Sequence, residues 1–476
     1  MHLTSLTSLL LAPCSYLIFA LAWLPVGRAA MMARPNIVVI LTDDQRLDAL
    51  GASGNPHIHT PNLDRLAARS VRFTQAHVVM SLCSPSRAAI LTGRYGSANG
   101  VTSLDAPLRA GETTFAQALK AVGYRTALSG KWHIGGTPED AGFDHACYFR
   151  GNGTYVGRQV FDQGKEVRPA GHVDNYCVDR SIAFLEDASR RPEPFLLMHA
   201  PQLPHMDGQQ AWPAPEKFRA RYDPAALRLP ATVMGDLYGK PKYLAEVRNR
   251  TQADSYGYQD VEKVRAHIRD YYAVITQMDE MLGRLLDAMD RLKLRENTWI
   301  IFLSDNGWLL GEHRMTSKVL AYADSVRVPL LISGPGVKPG VEARLALNLD
   351  IAPTVLELAG APARAGLHGA SLLPLVREGP GAWRETFVYE CLDGYGGTRP
   401  MLAAMTPRWS LIRTWQKRSE VGTEAKPFEE LYDREGDPAE AVNVAGSAET
   451  AGVRERLGAL IEAHWSRHGL RGEAVR

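Results

Sequence analysis

The order of apolar and polar positions predicts a chain in which buried strands alternate with helices. Residues 36–41 (N-I-V-V-I-L) and 299–303 (W-I-I-F-L) are short continuous apolar runs, typical of strands buried on both faces of an α/β sheet. Before the second run, apolar residues recur at helical spacing over residues 268–292, which predicts a core helix. Residues 181–188, followed by the apolar run 195–198, repeat the alternation of helix and strand. We therefore expect an α/β fold.

Both apolar runs end in a polar pair. Asp43 and Asp44 follow the first run, and Asp305 and Asn306 follow the second. Each pair alone would be typical of a polar turn or a helix cap. Because ligands bind beyond the carboxyl ends of strands in open α/β sheets, parallel strands would bring both pairs into one crevice. Carboxylate and amide oxygens suit a hard cation, so the pattern predicts a Ca2+ or Mg2+ site rather than a zinc or copper site.

Composition and charge are those of an ordinary globular protein. Of the 476 residues, 45% are hydrophobic and 22% charged, and this length allows two or three domains. The 54 Lys plus Arg and 52 Asp plus Glu give a net charge of +2, which offers no electrostatic basis for binding nucleic acid. The cysteines are too few and too scattered for a disulfide framework. Cys147, Cys177 and Cys391 are interpreted as small buried hydrophobic residues.

The N-terminal segment has a pattern of its own. Residues 9–26 are mostly apolar and are followed by Gly-Arg-Ala-Ala, so residues 1–30 are interpreted as a signal peptide and the protein as periplasmic or secreted. A membrane anchor is one alternative. Translation from Met31 or Met32 is another and would give a cytoplasmic protein. No later stretch is apolar for long enough to span a bilayer, so we expect no stable membrane span in the mature chain.

The segment around Cys83 resembles a known family signature. Residues 81–95 read S-L-C-S-P-S-R-A-A-I-L-T-G-R-Y, which is similar to the C-x-P-x-R signature of the type I sulfatases together with its extension through L-T-G-R. Further segments match in the family's order, including G-K-W-H at residues 130–133 and S-D-N-G at residues 304–307. The resemblance covers the chain from Arg34 to about residue 465.

The resemblance implies a fold with two parts. An alkaline-phosphatase-like α/β catalytic domain, with a large mixed sheet flanked by helices, would occupy residues 34–370. A smaller C-terminal domain, made of an antiparallel sheet and a helix, would occupy residues 382–470. The apolar pattern agrees, because residues 409–414 and 428–433 read as strands and a helix follows from about residue 449 to residue 465.

The resemblance also implies a mechanism and a set of site residues. Cys83 would be oxidised to formylglycine by a formylglycine-generating enzyme. One hydroxyl of the hydrated aldehyde would attack sulfur in line, and the second would then release sulfate. One Ca2+ per chain, with Mg2+ as the alternative, would be held by Asp43, Asp44, Asp305, Asn306 and modified residue 83. Three further roles are implied: Arg87 and His133 would hold the formylglycine hydroxyls, Lys131 and Lys318 would bind the sulfate, and His205 would bind and protonate the leaving oxygen.

The leaving-group acid is the position at which this sequence departs from the family pattern. His205 follows Pro204, but no proline stands two residues after it, and His199 is a nearby competitor for the same role. A helix from about residue 86 would add the positive end of its dipole to the sulfate site. His313, close to the second polar pair, would support the site or have no role.

These observations predict a metal-dependent sulfuric ester hydrolase whose substrate is a sulfated small molecule or carbohydrate. A phosphonate monoester or phosphodiester hydrolase would use the same residues, and an inactive homologue acting as a binding protein is a third interpretation. The complete set of nucleophile, acidic ligands and basic residues disfavours the inactive homologue. The sequence does not separate carbohydrate sulfates from aryl or small alkyl sulfates.

Overall fold

The computed structural model describes residues 34–377, 379 and 381–468. The predicted signal peptide and the two alternative start positions, Met31 and Met32, lie outside these residues. In the described part of the chain, no helix has the length and apolar character needed to cross a membrane.

The strands of the described part of the chain form one large mixed sheet and three smaller sheets. The strands, in chain order, are β1 (Asn36–Thr42), β2 (Val71–Phe73), β3 (Ala76–His77), β4 (Arg125–Trp132), β5 (His145–Arg150), β6 (Val160–Asp162), β7 (Lys165–Val167), β8 (Phe195–Ala200), β9 (Thr298–Ser304), β10 (Leu309–Leu310), β11 (Thr316–Ser317), β12 (Leu330–Ser333), β13 (Gly340–Glu342), β14 (Ala346–Leu347), β15 (Phe387–Cys391), β16 (Met401–Met405), β17 (Trp409–Thr414) and β18 (Phe428–Asp433). In the large sheet their order is β13-β2-β12-β9-β1-β8-β4-β5-β6-β7. The central strands β9, β1, β8, β4 and β5 are parallel.

Helices cover both faces of this sheet. They are α1 (Pro61–Ala67), α2 (Cys83–Thr92), α3 (Gly96–Asn99), α4 (Phe115–Ala121), α5 (Val173–Ala188), α6 (Glu216–Arg219), α7 (Arg248–Ser255), α8 (Val261–Arg291), α9 (Ala323–Val326), α10 (Ile351–Leu358), α11 (Leu373–Val376) and α12 (Ala451–Arg467). In β1, Ile37, Val39 and Leu41 belong to the core shared with α2, α4 and α10. Val38 and Ile40 belong to the core shared with α1, α5 and α8. The strand is therefore buried on both faces, as the sequence predicted.

Three helices begin earlier than the sequence predicted. The core helix expected over residues 268–292 begins at Val261, because the side chain of Asp260 caps it by accepting a hydrogen bond from the backbone N–H of Glu262. Charged residues interrupt its first turns, although Val261 and Val264 continue the apolar face towards the start. The helix α5 likewise begins at Val173 instead of residue 181, and α2 begins at Cys83 instead of near residue 86.

A second, smaller sheet lies near the C-terminus. The strands β15, β16, β17 and β18 are antiparallel in that order, and the bounds of β17 and β18 are those predicted. The helix α12 packs on this sheet through a core that includes Leu402, Leu411 and Leu457. The predicted large mixed sheet flanked by helices, with a small antiparallel sheet and helix after it, is confirmed.

Candidate active site

The two polar pairs meet at the carboxyl edge of the large sheet. The strands β1 and β9 are parallel neighbours with Thr42 opposite Ser304, so both pairs leave the sheet side by side. Carboxylate oxygens of Asp43, Asp44 and Asp305 lie within 4.8 Å of one another, and all three residues are buried. The backbone N–H of Asp44 donates to Asp305 Oδ1 at 3.3 Å. The parallel strands thus bring the pairs into one crevice.

The helix α2 brings Cys83 to the same crevice. Cys83 is the first residue of α2, it is 1% exposed, and its Sγ lies 3.4 Å from Asp43 Oδ1. The N-cap residue, Leu82, offers no side-chain hydrogen bond to the first turn. Because the positive end of a helix dipole lies at its N-terminus, the start of α2 favours an anion next to Cys83.

Two buried lysines flank the sulfur atom. Lys318 Nζ lies 2.8 Å from Cys83 Sγ and is hydrogen-bonded to Asp44. Lys131 Nζ lies 3.5 Å from the same sulfur and is hydrogen-bonded to Asp43. Lys131 belongs to β4, whose carboxyl end lies at the same edge of the sheet as that of β1. Both predicted sulfate-binding lysines therefore lie next to the predicted nucleophile.

Arg87 completes the set of charges. Its Nε donates to Asp305 Oδ2 at 2.8 Å, its Nη2 lies 3.6 Å from Asp43 Oδ2, and its Nη1 donates to the carbonyl of Lys131 at 3.2 Å. At 2% exposure its guanidinium is held away from solvent. Each of the three carboxylates is thus paired with a buried basic side chain, so their charges cancel. A divalent ion added to this set would give the crevice a net positive charge.

Burial and neighbouring charges shift the pKa values of this cluster. Burial and the charge of Asp43 raise the pKa of Cys83 to about 12, so the thiol is protonated at neutral pH. Burial also raises the pKa values of Asp44 and Asp305 to about 6, each against the opposing charge of a basic neighbour. For Asp43 burial acts in the same direction, but Lys131 and the other nearby basic groups outweigh it and hold the pKa well below its usual value.

The two candidate leaving-group histidines face different parts of the protein. His205 Nε2 lies 3.5 Å from Asp44 Oδ2, and its Nδ1 donates to the carbonyl of Met206 at 2.7 Å. His199 lies within β8, and its Nδ1 is 2.9 Å from the hydroxyl of Ser181 in α5. Burial lowers the pKa of His205 to about 3 and that of His199 to about 4. The structure therefore brings His205, and not His199, next to the acidic pairs.

The other two predicted histidines have different neighbours. His133 follows β4 two residues after Lys131, and its Nε2 lies 3.7 Å from Oδ1 of the exposed Asp105. Burial, followed by the charge of Lys131, holds the pKa of His133 far below its usual value. His313 packs against the ring of Tyr322, with 5.0 Å between ring centroids.

Three residues at the site carried no signal in the sequence. The side chain of Asn152, in the loop after β5, accepts a hydrogen bond from Lys131 Nζ. Asn249 and Tyr389 bind backbone atoms of the segment that carries Lys318. Each is a single polar residue outside the matched motifs and lies 21 to 70 residues from its partner in the chain. Only the folded chain brings these groups together.

Comparison with known proteins identifies the family. The model of the family described as "Sulfatase" matches residues 35–361, and that described as "N-sulphoglucosamine sulphohydrolase, C-terminal" matches residues 311–466. The chain is 33% identical to an ulvan-active sulfatase of Formosa agariphila, over 90% of this chain and 80% of that protein. It is 32% identical to human arylsulfatase A, over 91% of this chain and 87% of that protein.

One further relative and two solved structures extend the comparison. An N-acetylglucosamine-6-O-sulfatase of Bacteroides thetaiotaomicron is 29% identical over 90% of this chain and 86% of its own length. A solved structure of a protein in complex with its substrate D-glucosamine-2-N,6-O-disulfate has a TM-score of 0.82 and 27% identity, over 92% of this chain and 98% of that one. A phosphonate monoester hydrolase of Silicibacter pomeroyi, with a TM-score of 0.74 and 23% identity, shares the fold.

These matches confirm the alkaline-phosphatase-like fold and the family expected from the sequence. They do not favour the phosphonate hydrolase alternative, since the related proteins of higher identity are named sulfatases. The chain belongs to the sulfatase family and is a sulfuric ester hydrolase.

Proposed function

We propose that the protein hydrolyses the sulfate ester of a sugar, using a formylglycine formed from Cys83 and one bound Ca2+. One observation carries the proposal: Cys83 Sγ lies within 3.5 Å of two lysine ammonium groups and beside three clustered carboxylates. The lysines and the start of α2 favour an anion at residue 83, while the carboxylates favour a cation next to it. A sulfate ester and a divalent cation are such a pair.

The state of residue 83 is the first part of the proposal. As a thiol with a pKa of about 12, Cys83 would be a weak nucleophile at neutral pH. Its conversion by a formylglycine-generating enzyme would supply, as the hydrated aldehyde, a hydroxyl nucleophile in its place. Arg87 binds Asp305 in the same crevice, and His133 comes directly after β4, two residues from Lys131, so both would hold oxygen atoms at residue 83.

The donor set fits a calcium ion. Asp44 Oδ2 and Asn306 Oδ1 are buried, and among the described protein atoms they have no hydrogen-bond partner. Together with Asp43 and Asp305 they present oxygen atoms alone, which suit Ca2+ or Mg2+. Bound there, the cation would polarise the sulfate ester and stabilise a deprotonated hydroxyl. Three carboxylates and three basic side chains cancel in charge, so a divalent ion would leave the crevice positive and ready for an anionic ester.

The remaining side chains bind the ester and move a proton. Lys131 and Lys318 would bind the sulfate oxygens, on which charge builds up during attack. His205 would protonate the leaving oxygen through Nε2, because its Nδ1–H is held by the carbonyl of Met206. In the free enzyme burial keeps the pKa of His205 at about 3, so the ring is neutral. An anionic ester next to it favours the protonated form, so the ring would take up a proton from solvent when the substrate binds.

The sugar part of the proposal comes from the relatives. An N-acetylglucosamine-6-O-sulfatase, an ulvan-active sulfatase and a structure with bound D-glucosamine-2-N,6-O-disulfate all concern sulfated sugars. A sulfated hexosamine is therefore the first candidate substrate.

We further propose that the chain is exported through residues 1–30, that residues 34–370 form the catalytic domain and that residues 382–470 help to wall the substrate cleft. Fractionation of the host cells tests export, because sulfatase activity confined to the cytoplasm would contradict it. An exported protein with an intact N-terminus at Met1 would indicate the membrane anchor instead.

The substrate proposal is tested by comparing rates. Protein matured with a formylglycine-generating enzyme is assayed on N-acetylglucosamine 6-sulfate, 4-nitrophenyl sulfate and a phenylphosphonate monoester. We expect turnover of both sulfate esters, with the higher kcat/KM on N-acetylglucosamine 6-sulfate. A higher kcat/KM on the phosphonate would support the alternative hydrolase. Binding of the sugar sulfate without any turnover would support the inactive homologue.

A further inference from the structure

The segment that carries Lys318 is conformationally strained. Four residues of segment 313–319, here called the lysine loop, have positive φ although none is glycine: His313 at 52°, Arg314 at 54°, Ser317 at 72° and Val319 at 79°. Residues with a Cβ avoid this region, and strain of this kind persists only where the surrounding structure imposes it. Two of the four flank Lys318 directly. Something outside the loop must therefore hold Lys318 in place.

The first anchor is Asn249 in α7. Asn249 is 2% exposed, and its carboxamide Nδ2 donates to the carbonyl of Thr316 at 2.8 Å and to that of Lys318 at 2.9 Å. Both N–H hydrogens of the Asn249 carboxamide therefore donate hydrogen bonds to the lysine loop. The next residue of α7, Arg250, donates from Nη1 to the carbonyl of His313 at 3.0 Å. The helix α7 holds the loop at both of its strained places.

The second anchor is Tyr389 in β15 of the small sheet. Its buried hydroxyl donates to the carbonyl of Val319 and accepts a hydrogen bond from the backbone N–H of Ser81 at 3.1 Å. The backbone N–H of Val319 also donates to the carbonyl of Ser81, at 3.0 Å. Because Ser81 lies two residues before Cys83, the hydroxyl of Tyr389 ties the lysine loop to the segment that presents residue 83.

We propose that Asn249 and Tyr389 are positioning residues that hold Lys318 Nζ against residue 83. The inference rests on the proposed role of Lys318 in binding sulfate. Removing either anchor deletes hydrogen bonds that hold the strained conformation, so the lysine loop relaxes and Lys318 Nζ shifts from its place 2.8 Å from the Sγ of residue 83. A displacement of about 1 Å of a group that binds the reacting atoms lowers rate by about 100-fold. The small sheet therefore supports the sulfate site itself as well as the cleft.

The test uses Asn249→Ala and Tyr389→Phe in the full-length, formylglycine-matured protein. Each variant is made alone and combined with Lys318→Ala. Two measurements are made: kcat and KM on a sulfate ester, and the dissociation constant of inorganic sulfate by calorimetry. Each anchor variant should lower kcat/KM by about 10- to 100-fold and weaken sulfate binding, with unfolding still cooperative. In the Lys318→Ala background neither should weaken sulfate binding further, since the anchors act through that lysine.

Matched controls separate positioning from general damage. The carboxamide of Asn443 also donates to two carbonyls, those of Gly239 and Glu429, and the buried hydroxyl of Tyr124 donates to the carbonyl of Pro35. We expect wild-type kcat/KM and sulfate affinity from Asn443→Ala and Tyr124→Phe.

Three results decide between positioning and its alternatives. Wild-type sulfate affinity in both anchor variants would overturn the inference, as would equal losses with and without Lys318. If Asn249→Ala does not fold, Tyr389→Phe decides, because it keeps the ring and removes only the hydroxyl. Wild-type turnover and sulfate affinity in Lys318→Ala alone would instead refute the proposed role of the lysine, and with it the reason for anchoring it.

Discussion

Gly130 sets the position of Lys131, and its replacement by alanine tests whether the sheet edge builds the site. Gly130 lies opposite Ala200 in the pairing of β4 with β8, and its φ of 125° is one that residues with a side chain rarely adopt. A Cβ on this residue would lie 1.9 Å from the carbonyl oxygen of Ala200. Real Cβ atoms essentially never come closer than 3.0 Å to such an atom, so the strands must separate by at least 3.0 − 1.9 = 1.1 Å.

The size of the effect follows from this displacement. Forced repacking costs about 1–3 kcal/mol, and an unfavourable φ costs about 1–3 kcal/mol more, so we expect Gly130→Ala to lower the free energy of unfolding by about 2–6 kcal/mol. The next residue, Lys131, has its Nζ 3.5 Å from Cys83 Sγ. Because it must move with the strand, we expect kcat/KM on a sulfate ester to fall by about 100-fold.

The assay pairs urea unfolding with steady-state kinetics. The matched control is Gly340→Ala in β13 of the same sheet, where a Cβ would meet nothing within 4 Å and φ is not left-handed. The control should keep wild-type stability and kcat/KM. If Gly130→Ala matched the control in both measurements, the argument that a close strand contact positions Lys131 would be refuted.

Three further predictions concern the metal, the leaving group and stability. Asp43→Asn and Asp305→Asn should each lower bound calcium, measured by atomic emission, from one ion per chain toward zero and abolish turnover, and full activity in either would exclude the shared cation site. His205→Ala should slow alkyl or sugar sulfates much more than 4-nitrophenyl sulfate, whereas a uniform loss would indicate sulfate binding instead. Burial, opposed by the N–H groups of Leu63 and Asn62, raises the pKa of Asp279 in the folded protein to about 6, so folding favours its protonated form and this stabilisation is lost as pH rises from about 4 to about 6. The amide introduced by Asp279→Asn does not titrate, so only the wild type should lose this stability. Between pH 4 and pH 7 the free energy of unfolding of the wild type should fall by about 3 kcal/mol relative to that of Asp279→Asn, and a difference that stays constant with pH would contradict the raised pKa.

Much of the fold was readable from local sequence. The apolar runs 36–41 and 299–303 correspond to β1 and β9, and the bounds of β17 and β18 were predicted to the residue. Buried strands have short, dense apolar patterns that end at polar residues, so their bounds are visible. The start of α8 was missed, because charged residues interrupt the apolar face that Val261 and Val264 continue, and its cap, Asp260, acts through a single hydrogen bond.

The site was predictable only where a residue belongs to a motif. Cys83, Arg87, Lys131 and the acidic pairs stand in contiguous matched segments, and the structure brings them together. The sequence favoured His205 but left His199 as a competitor, because the choice depends on which way each ring faces in the folded chain. Asn249 and Tyr389 have no local signal at all. Their partners lie about 70 residues away in the chain.

The measurement that tests the account most directly is the mass of the peptide containing residue 83. The protein is taken from its native host, or from cells that also express a formylglycine-generating enzyme, and is digested after its activity on a sulfate ester has been recorded. The account predicts the aldehyde at residue 83, confirmed by its reaction with a hydrazide, in protein that turns over the ester. Unmodified Cys83 in protein that hydrolyses sulfate esters at full rate would contradict it.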